Sequence, residues 1–165
     1  YNGIASETYS TTAAPIQFTA TDIYNNMDQL FPFIHSQQAI LKSLSELIVQ
    51  QLRDVDVRIH QPQGGFYIFP DFSNYSSIFA QKNIDTAEEL CVELLNKQGV
   101  AMLPASAFGF SKDQFFSRMC YVDFDGASAI AALENGEELN RTFFEKHTPA
   151  VIDGINALCS FLKEI

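Results

Sequence analysis

The apolar residues of this chain change their spacing abruptly, and that change constrains the fold more than any other feature. Over residues 40–52 apolar side chains recur three and four residues apart, which is the spacing of one helix face. Val55, Val57 and Ile59 then alternate with polar residues, which is the period of a half-exposed strand. A long helix followed at once by a strand predicts a fold in which helices cover a sheet.

Three further segments have the composition of strands. Residues 61–65 contain two adjacent glycines and predict a turn, so residues 66–72 are predicted to return as a hairpin against residues 55–59. The short apolar segments 100–103 and 115–124 are two more strand candidates. A hairpin followed by separated strands favours a small, mainly antiparallel sheet.

Capping signals predict helices between and after these strands. Asp85 or Thr86 can cap a helix that Gly99 then ends. Asp125 is expected to cap a short helix, and Thr148-Pro149 to open the last one. The expected buried faces of the first and last of these helices are formed by Ala87, Leu90, Cys91, Leu94, Val151, Ile155, Leu158 and Leu162. The predicted fold class is therefore α+β.

The beginning of the chain fits this domain least well. Residues 1–15 are rich in Ser, Thr and Ala and show no clear period. Residues 17–30 are compatible with a helix, which Pro32 is predicted to interrupt. We expect residues 1–20 to be poorly packed, or else to pack against a neighbouring chain.

Charge and composition exclude several classes of partner. A net charge of −10 argues against nucleic acid and against an anionic membrane surface, since both need clustered Lys and Arg. No apolar run approaches the roughly 18 residues of a membrane span. The three cysteines are not in a CxxC motif and lie in apolar surroundings, so they are expected to be buried reduced thiols in a cytoplasmic protein. His35, His60 and His147 share no close spacing, so no metal site is expected.

Three motifs in order point to a known family. They are Gln61-Pro62-Gln63-Gly64-Gly65-Phe66-Tyr67-Ile68-Phe69, then Gly99-Val100-Ala101-Met102-Leu103-Pro104-Ala105-Ser106-Ala107-Phe108-Gly109, then Ser117-Arg118-Met119-Cys120-Tyr121-Val122. In this order and spacing they resemble the C-terminal part of the class I/II aminotransferases, the fold-type-I family that uses pyridoxal phosphate. The resemblance extends from about Ser6 to about Leu133.

The resemblance implies a domain organisation and an activity. Residues 1–32 would be the end of the large cofactor-binding domain, and residues 33–165 the small domain, with the helix at 40–52 as the long connection into it. The parent protein would use pyridoxal phosphate to transfer an amino group between an amino acid and a 2-oxo acid. Relatives are dimers, so a homodimer is implied. The chain is then expected to be a C-terminal fragment.

The resemblance also assigns roles to individual residues. The family's arginine at the position of Arg118 holds the substrate α-carboxylate, and a guanidinium matches a carboxylate with two parallel hydrogen bonds. The alternative is a strand arginine that faces solvent or pairs with Asp123 or Asp125. Phe108 is expected to line the substrate pocket, or else to be a core aromatic. Ala105 replaces an expected glycine, which predicts strain if that position needs a positive φ.

Several functions remain open at this point. None of the six lysines matches the family's Schiff-base motif, so the chain alone is expected to be inactive and to bind no cofactor. Carbon–sulfur lyases and cyclopropane-forming synthases share the C-terminal pattern, as do ligand-sensing domains of transcription regulators. A plain α+β interaction module is a further alternative. The segment Ser6-Glu7-Thr8-Tyr9 lacks the second arginine of dicarboxylate-selective relatives, which disfavours aspartate as the best substrate.

Overall fold

The computed structural model describes residues 3, 4, 7 and 11–165, and it has the predicted α+β architecture. The chain divides into two compact units, Tyr1–His35 and Ser36–Ile165. None of the helices in the described part of the chain is long and apolar enough to cross a bilayer.

The first unit contains helix α1 (Ala14–Asn25) and the start of helix α2 (Met27–Arg53). None of its described residues is buried, so the expected poor packing holds over residues 11–20, and masked positions such as Tyr1 and Ser10 lie outside the described residues. The predicted interruption at Pro32 is wrong, because α2 continues through it. A proline removes one backbone hydrogen bond, and here the turns on either side keep the helix intact.

The predicted stripe on α2 faces the core of the second unit. Its buried positions, which follow one another at one, three or four residues, are Ile40, Leu44, Ser45, Ile48, Val49 and Leu52. This face carries large side chains at every turn, and such burial stabilises a helix more than its intrinsic propensity does.

The alternating segment after α2 is not the strand that the sequence predicts. Asp56 has a left-handed backbone with φ of 59°, and the backbone N–H of Val57 donates to the carbonyl of Leu52 at 3.0 Å. The segment therefore closes the end of the helix. Val55 and Val57 are buried, so the alternating pattern predicts correctly which side chains are buried. The segment pairs with another part of the chain only through one bridge, between Arg58 and Asp71.

The sheet has three short antiparallel strands in the order β1-β3-β2. They are β1 (Tyr67–Ile68), β2 (Leu103–Pro104) and β3 (Ser117–Cys120). β3 lies in the centre, with Ile68 opposite Met119 and Leu103 opposite Arg118. The predicted hairpin of residues 55–59 and 66–72 is reduced to the bridge between Arg58 and Asp71, because β1 pairs with the distant strand β3.

Five helices follow α2, and three of them were predicted. They are α3 (Ser76–Gln81), α4 (Ala87–Gln98), α5 (Gly126–Glu134), α6 (Arg141–His147) and α7 (Pro149–Glu164). Thr86 and Glu89 form the expected capping box at the start of α4, and Gly99 ends it with φ of 68°. The predicted buried faces of α4 and α7 are confirmed. α3 and α6 were missed because six or seven residues are too few to show a helical period.

Helices cover one side of the sheet. α4 packs against α7 and against β2, and the core joins residues of both helices and of α2 to the inward side chains of the sheet: Ile68, Met119 and Tyr121. Cys91 and Cys159 are buried free thiols, as predicted. Cys120 is exposed, because it follows Met119 on β3 and therefore points to the other side.

Candidate functional site

The central strand places Arg118 on the side of the sheet that the helices do not cover. Along β3, Ser117 and Met119 are buried, whereas Arg118 is half-buried and Cys120 exposed. Successive side chains of a strand point to opposite faces, so this alternation assigns Arg118 to the outward face. Leu103, its neighbour across the ladder, is 47% exposed.

Two aromatic rings hold the guanidinium of Arg118. Its Cζ lies 4.4 Å from the ring centroid of Tyr67 and 4.6 Å from that of Phe108. Both distances are within cation–π range. Tyr67 comes from β1 and Phe108 from the loop after β2, so elements on both sides of β3 fix the position of the arginine. Sequence reasoning missed Tyr67, although it belongs to the Gly-Gly-aromatic motif.

More aromatic side chains continue this surface. The ring centroid of Phe69 lies 5.5 Å from Phe110, 5.9 Å from Phe116 and 6.4 Å from Phe108. We call the whole surface the open face, which is formed by Tyr67, Phe69, Leu103, Phe108, Phe110, Phe116 and Arg118. Its members are half-buried or exposed, so the open face combines apolar contact area with a single positive charge.

The charge on Arg118 has no carboxylate partner among the described residues. The ion pairs found there use Arg58, Lys97, Arg141, Lys146 and His147. Two carboxylates were considered as partners from the sequence. The carboxylate of Asp125 accepts hydrogen bonds from the N–H groups of Ala127 and Ser128 at the start of α5. Asp123 forms no ion pair with Arg118. Within the described part of the chain, the positive charge of Arg118 is therefore not neutralised by an ion pair.

The loop that carries Phe108 is a short 3₁₀ helix, Ala105–Phe108, that ends at Gly109. Gly109 supplies the left-handed conformation with φ of 88°. Ala105 is fully buried and its φ is not positive, so the strain expected at this position is absent. Its backbone N–H donates to the carbonyl of Phe116 at 2.9 Å, which ties the loop to the segment leading into β3.

A side-chain hydrogen bond ties the same loop to helix α4. The hydroxyl of Ser106 donates to Oε1 of Glu88 at 2.6 Å. This bond is the main cause that lowers the pKa of Glu88 below its usual value. No sequence pattern predicts this bond, because the two residues are 18 positions apart and neither belongs to a motif that links them.

The double glycine before β1 has a structural role. Gly65 has φ of 71°, whereas Gly64 is not left-handed. The hydroxyl of Tyr121 donates to the carbonyl of Gly65 at 3.0 Å. Because Tyr121 is buried in the core, this bond anchors the turn and with it the start of β1.

The described residues do not form a pyridoxal phosphate site. The cofactor's aldehyde needs a lysine whose amine is desolvated or placed beside another cation. All six lysines are exposed, and Lys97 and Lys146 are paired with Glu93 and Glu137. Within the described ranges no three His, Cys, Asp or Glu side chains converge on a metal position either. His147 is bonded to Glu137 at 3.1 Å.

Comparison with solved structures shows which class of fold this is. The aromatic aminotransferase from Pyrococcus horikoshii OT3 matches with a TM-score of 0.68 over 98% of this chain and 35% of that chain, at 16% identity. The aspartate aminotransferase from Thermotoga maritima matches with a TM-score of 0.56 over 98% of this chain and 32% of that chain, at 18% identity. The fold is thus that of the corresponding third of aminotransferase structures.

Sequence comparison then gives the family. The profile described as "Aminotransferase class I and II" matches residues 1–128. The aspartate aminotransferase of Pinus pinaster is 40% identical over 67 residues, which are 39% of this chain and 14% of the relative. The aspartate aminotransferase of Bacillus subtilis (strain 168) is 26% identical over 145 residues, which are 88% of this chain and 34% of the relative. This chain belongs to the class I and II aminotransferase family, which implies dependence on pyridoxal phosphate.

Coverage limits what these matches show. The chain spans about a third or less of the length of the curated relatives that it matches. The likeness to solved structures therefore supports the fold of one part of an aminotransferase, and the activity of a whole protein is a matter for proposal.

Proposed function

We propose that this chain is the substrate-binding C-terminal part of an aminotransferase that moves an amino group between an amino acid and a 2-oxo acid. Residues 1–32 would be the end of its large domain and residues 33–165 its small domain. The observation that carries the proposal is the state of Arg118, a half-buried cation on an uncovered apolar face with no carboxylate partner among the described residues. The guanidinium of such an arginine can form two parallel hydrogen bonds with the carboxylate of a substrate.

Within this proposal each residue of the open face has one task. Arg118 binds the α-carboxylate with two parallel hydrogen bonds and so fixes the orientation of the substrate. Phe108 and Tyr67 hold the guanidinium and exclude water from one side of it. Phe108 also forms part of the wall of the substrate pocket.

The cofactor site belongs, in this proposal, to the part of the protein beyond this chain. Pyridoxal phosphate supplies the electron sink for the chemistry when it is bound. The six exposed lysines give no described residue suited to holding it. The 165-residue chain mixed with pyridoxal phosphate should therefore show no saturable absorbance band that one lysine substitution removes, and such a band would contradict this placement.

The assembly and the location follow the same reasoning. A homodimer is proposed because aminotransferase sites are shared between subunits in relatives, and light scattering on the full-length protein tests it. The three cysteines are free thiols, which favours the cytoplasm.

One experiment separates the proposed function from its alternatives. The full-length protein with its cofactor is assayed against a panel of amino acids that includes aspartate and phenylalanine, with 2-oxoglutarate as acceptor. Glutamate formation supports the proposal and ranks the substrates. Ammonia and a 2-oxo acid without glutamate would indicate a carbon–sulfur lyase, and saturable binding without turnover would indicate a ligand-sensing domain.

A further inference from the structure

The bond between Ser106 and Glu88 occupies a position from which it can control Arg118. Ser106 is the second residue of the 3₁₀ helix Ala105–Phe108, and Phe108 is its last. Among the described residues, the Ser106–Glu88 bond is the only side-chain hydrogen bond made by this 3₁₀ helix. A displacement of the loop at Ser106 would therefore move the ring that lies 4.6 Å from the guanidinium of Arg118.

The 3₁₀ helix belongs to a longer segment, Ala105–Lys112, and backbone hydrogen bonds hold this segment at its two ends. The N–H of Ala105 donates to the carbonyl of Phe116 at 2.9 Å, and the N–H of Ala87 donates to the carbonyl of Lys112 at 3.0 Å. Between these two points the loop contains Gly109, whose conformational freedom makes the segment easy to deform. The rings of Phe108 and Phe110 also contact Phe69. Ser106 adds a side-chain hydrogen bond to α4, a helix that is packed in the core.

Glu88 is well placed to act as the fixed end of this attachment. It lies in the first turn of α4, where the positive end of the helix dipole stabilises a carboxylate. Its other oxygen, Oε2, is buried and accepts no hydrogen bond in the described part of the chain. A charged acceptor roughly doubles the strength of a hydroxyl hydrogen bond, and the 2.6 Å separation agrees with that.

We propose that Ser106 and Glu88 form a positioning pair for Arg118: the charge-assisted bond between them holds the 3₁₀ loop so that Phe108 fixes the guanidinium in the orientation that binds a carboxylate. The proposal deepens the proposed function and rests on it for its consequence in catalysis. The pair contacts neither substrate nor cofactor. It acts through Phe108, by reducing the number of orientations that the guanidinium must give up when a carboxylate binds.

The first test is kinetic and uses the full-length protein with its cofactor. Ser106→Ala should lower kcat/KM by about three- to tenfold, mainly through a higher KM, because the chemistry is unchanged while carboxylate binding is weakened. Ser106→Thr keeps the hydroxyl and should restore most of the affinity. Ser111→Ala is the matched control, since Ser111 is exposed and its hydroxyl bonds to Asp113 in its own turn, and it should leave both constants unchanged.

The second test repeats the comparison from the other end of the bond. Glu88→Gln should also raise KM. The KM of the double variant, Glu88→Gln with Ser106→Ala, should not exceed that of the more impaired single variant. Glu93→Gln is the control on the same helix, because Glu93 pairs with Lys97 and not with the loop. Additive effects of Ser106→Ala and Glu88→Gln, or an equal effect of Glu93→Gln, would overturn the proposal.

The third test is structural, so that failure of the proposed function and failure of the positioning pair can be told apart. In the 165-residue chain, the side-chain Nε–H of Arg118 should show an NMR shift caused by the nearby rings. Ser106→Ala and Glu88→Gln should move that signal, whereas Ser111→Ala and Glu93→Gln should not. If the signal moves but the full-length protein transfers no amino group, only the proposed function fails. If it stays in place in both variants, the positioning pair is refuted whatever the activity.

Discussion

The two faces of the three-stranded sheet are built from alternate residues of the same strands, and they differ in what covers them. The face under the helices carries Ile68, Met119 and Tyr121, all of them buried. The open face carries Tyr67, Leu103 and Arg118, of which Tyr67 is 44% and Leu103 47% exposed. Both faces are rich in apolar atoms, so hydrophobicity alone does not distinguish the core from the site. The difference lies in the arginine, which only the open face contains.

An uncovered apolar face of this kind is unusual for a complete protein surface. Contiguous exposed apolar patches normally mark a surface that binds a ligand or another protein segment. The open face therefore has the character of a binding surface, while the face under the helices, which we call the covered face, belongs to the core. The predictions below test that division.

The largest effect is expected from a cavity on the covered face. Ile68→Ala should lower the free energy of unfolding by about 2–5 kcal/mol, because Ile68 is 3% exposed and its neighbours cannot fill the space. Leu103→Ala, on the open face of the same sheet, should change it by about 0.5 kcal/mol or less. Urea denaturation of both variants measures the difference. Equal losses would show that the two faces are equally buried, and the division would be wrong.

Arg118→Lys should produce the reverse pattern in the full-length protein. An ammonium cannot reproduce the guanidinium fork, so kcat/KM should fall about tenfold or more, while unfolding in urea stays close to that of the unchanged protein. Arg141→Lys is the control, because Arg141 makes an exposed pair with Glu145 on α6. Near-normal kinetics for Arg118→Lys would remove Arg118 from the site.

A smaller effect on stability is expected from the capping box of α4, one of the helices that cover the sheet. Thr86→Ala should lower the free energy of unfolding by about 1 kcal/mol, since the N–H of Glu89 loses its acceptor. Thr21→Ala serves as a matched control, because that hydroxyl bonds to the carbonyl of Gln17 on an exposed helix. We expect no loss for Thr21→Ala in the same denaturation experiment, and comparable losses would mean that the cap contributes nothing.

The acid stability of the chain should depend on the same capping box. Hydrogen bonds from the N–H groups of Asp85 and Thr86, together with the Thr86 side chain, lower the pKa of Glu89 below its ordinary value of 4.5. A carboxylate with a lowered pKa contributes stability that is complete above 4.5 and is lost as the pH falls through the folded-state value. The melting temperature of Glu89→Gln should therefore lie below that of the unchanged chain at pH 7 and converge with it in acid. A constant difference at all pH values would refute this.

The smallest effect concerns the ring beside the arginine. Phe108→Leu keeps apolar volume but removes the cation–π contact with Arg118, which is worth about 0.5–1 kcal/mol at a partly exposed site. KM should rise by about two- to fivefold, with kcat nearly unchanged. Phe66→Leu makes the comparison, because the exposed ring of Phe66 packs on Tyr67 and makes no cation–π contact in the described part of the chain. An unchanged KM for Phe108→Leu would mean that Tyr67 alone holds the guanidinium.

Local signals decided which elements could be predicted from the sequence. α2, α4 and α7 each present several helical turns, and α4 also carries its own cap and stop, so their faces were predicted correctly. The strands were predicted too long, since β1 and β2 are two residues each. The one predicted pairing, of residues 55–59 with 66–72, is a single bridge, and β1 pairs instead with β3, which is distant in sequence. Strand pairing depends on tertiary neighbours, which a local pattern does not contain.

The site divides in the same way. Arg118 and Phe108 were both identified from the sequence, and the structure places the guanidinium 4.6 Å from the ring of Phe108. The role of Arg118 in binding a carboxylate stays a prediction. Tyr67 and the Ser106–Glu88 bond were not foreseen, because each is a contact between segments far apart in the chain. Motifs identify the residue types of a site, and the structure identifies their neighbours.

The most direct test of the open face as a carboxylate site is a thermodynamic cycle in the full-length protein with its cofactor. Inhibition constants are measured for a carboxylic acid, the preferred substrate without its amino group, and for the matching primary amide. Arg118→Lys should weaken the acid by about tenfold or more and leave the amide nearly unchanged, so that the preference for the charged ligand collapses. If Arg118→Lys weakens both ligands equally, or neither, then Arg118 does not bind the carboxylate and the central claim is wrong.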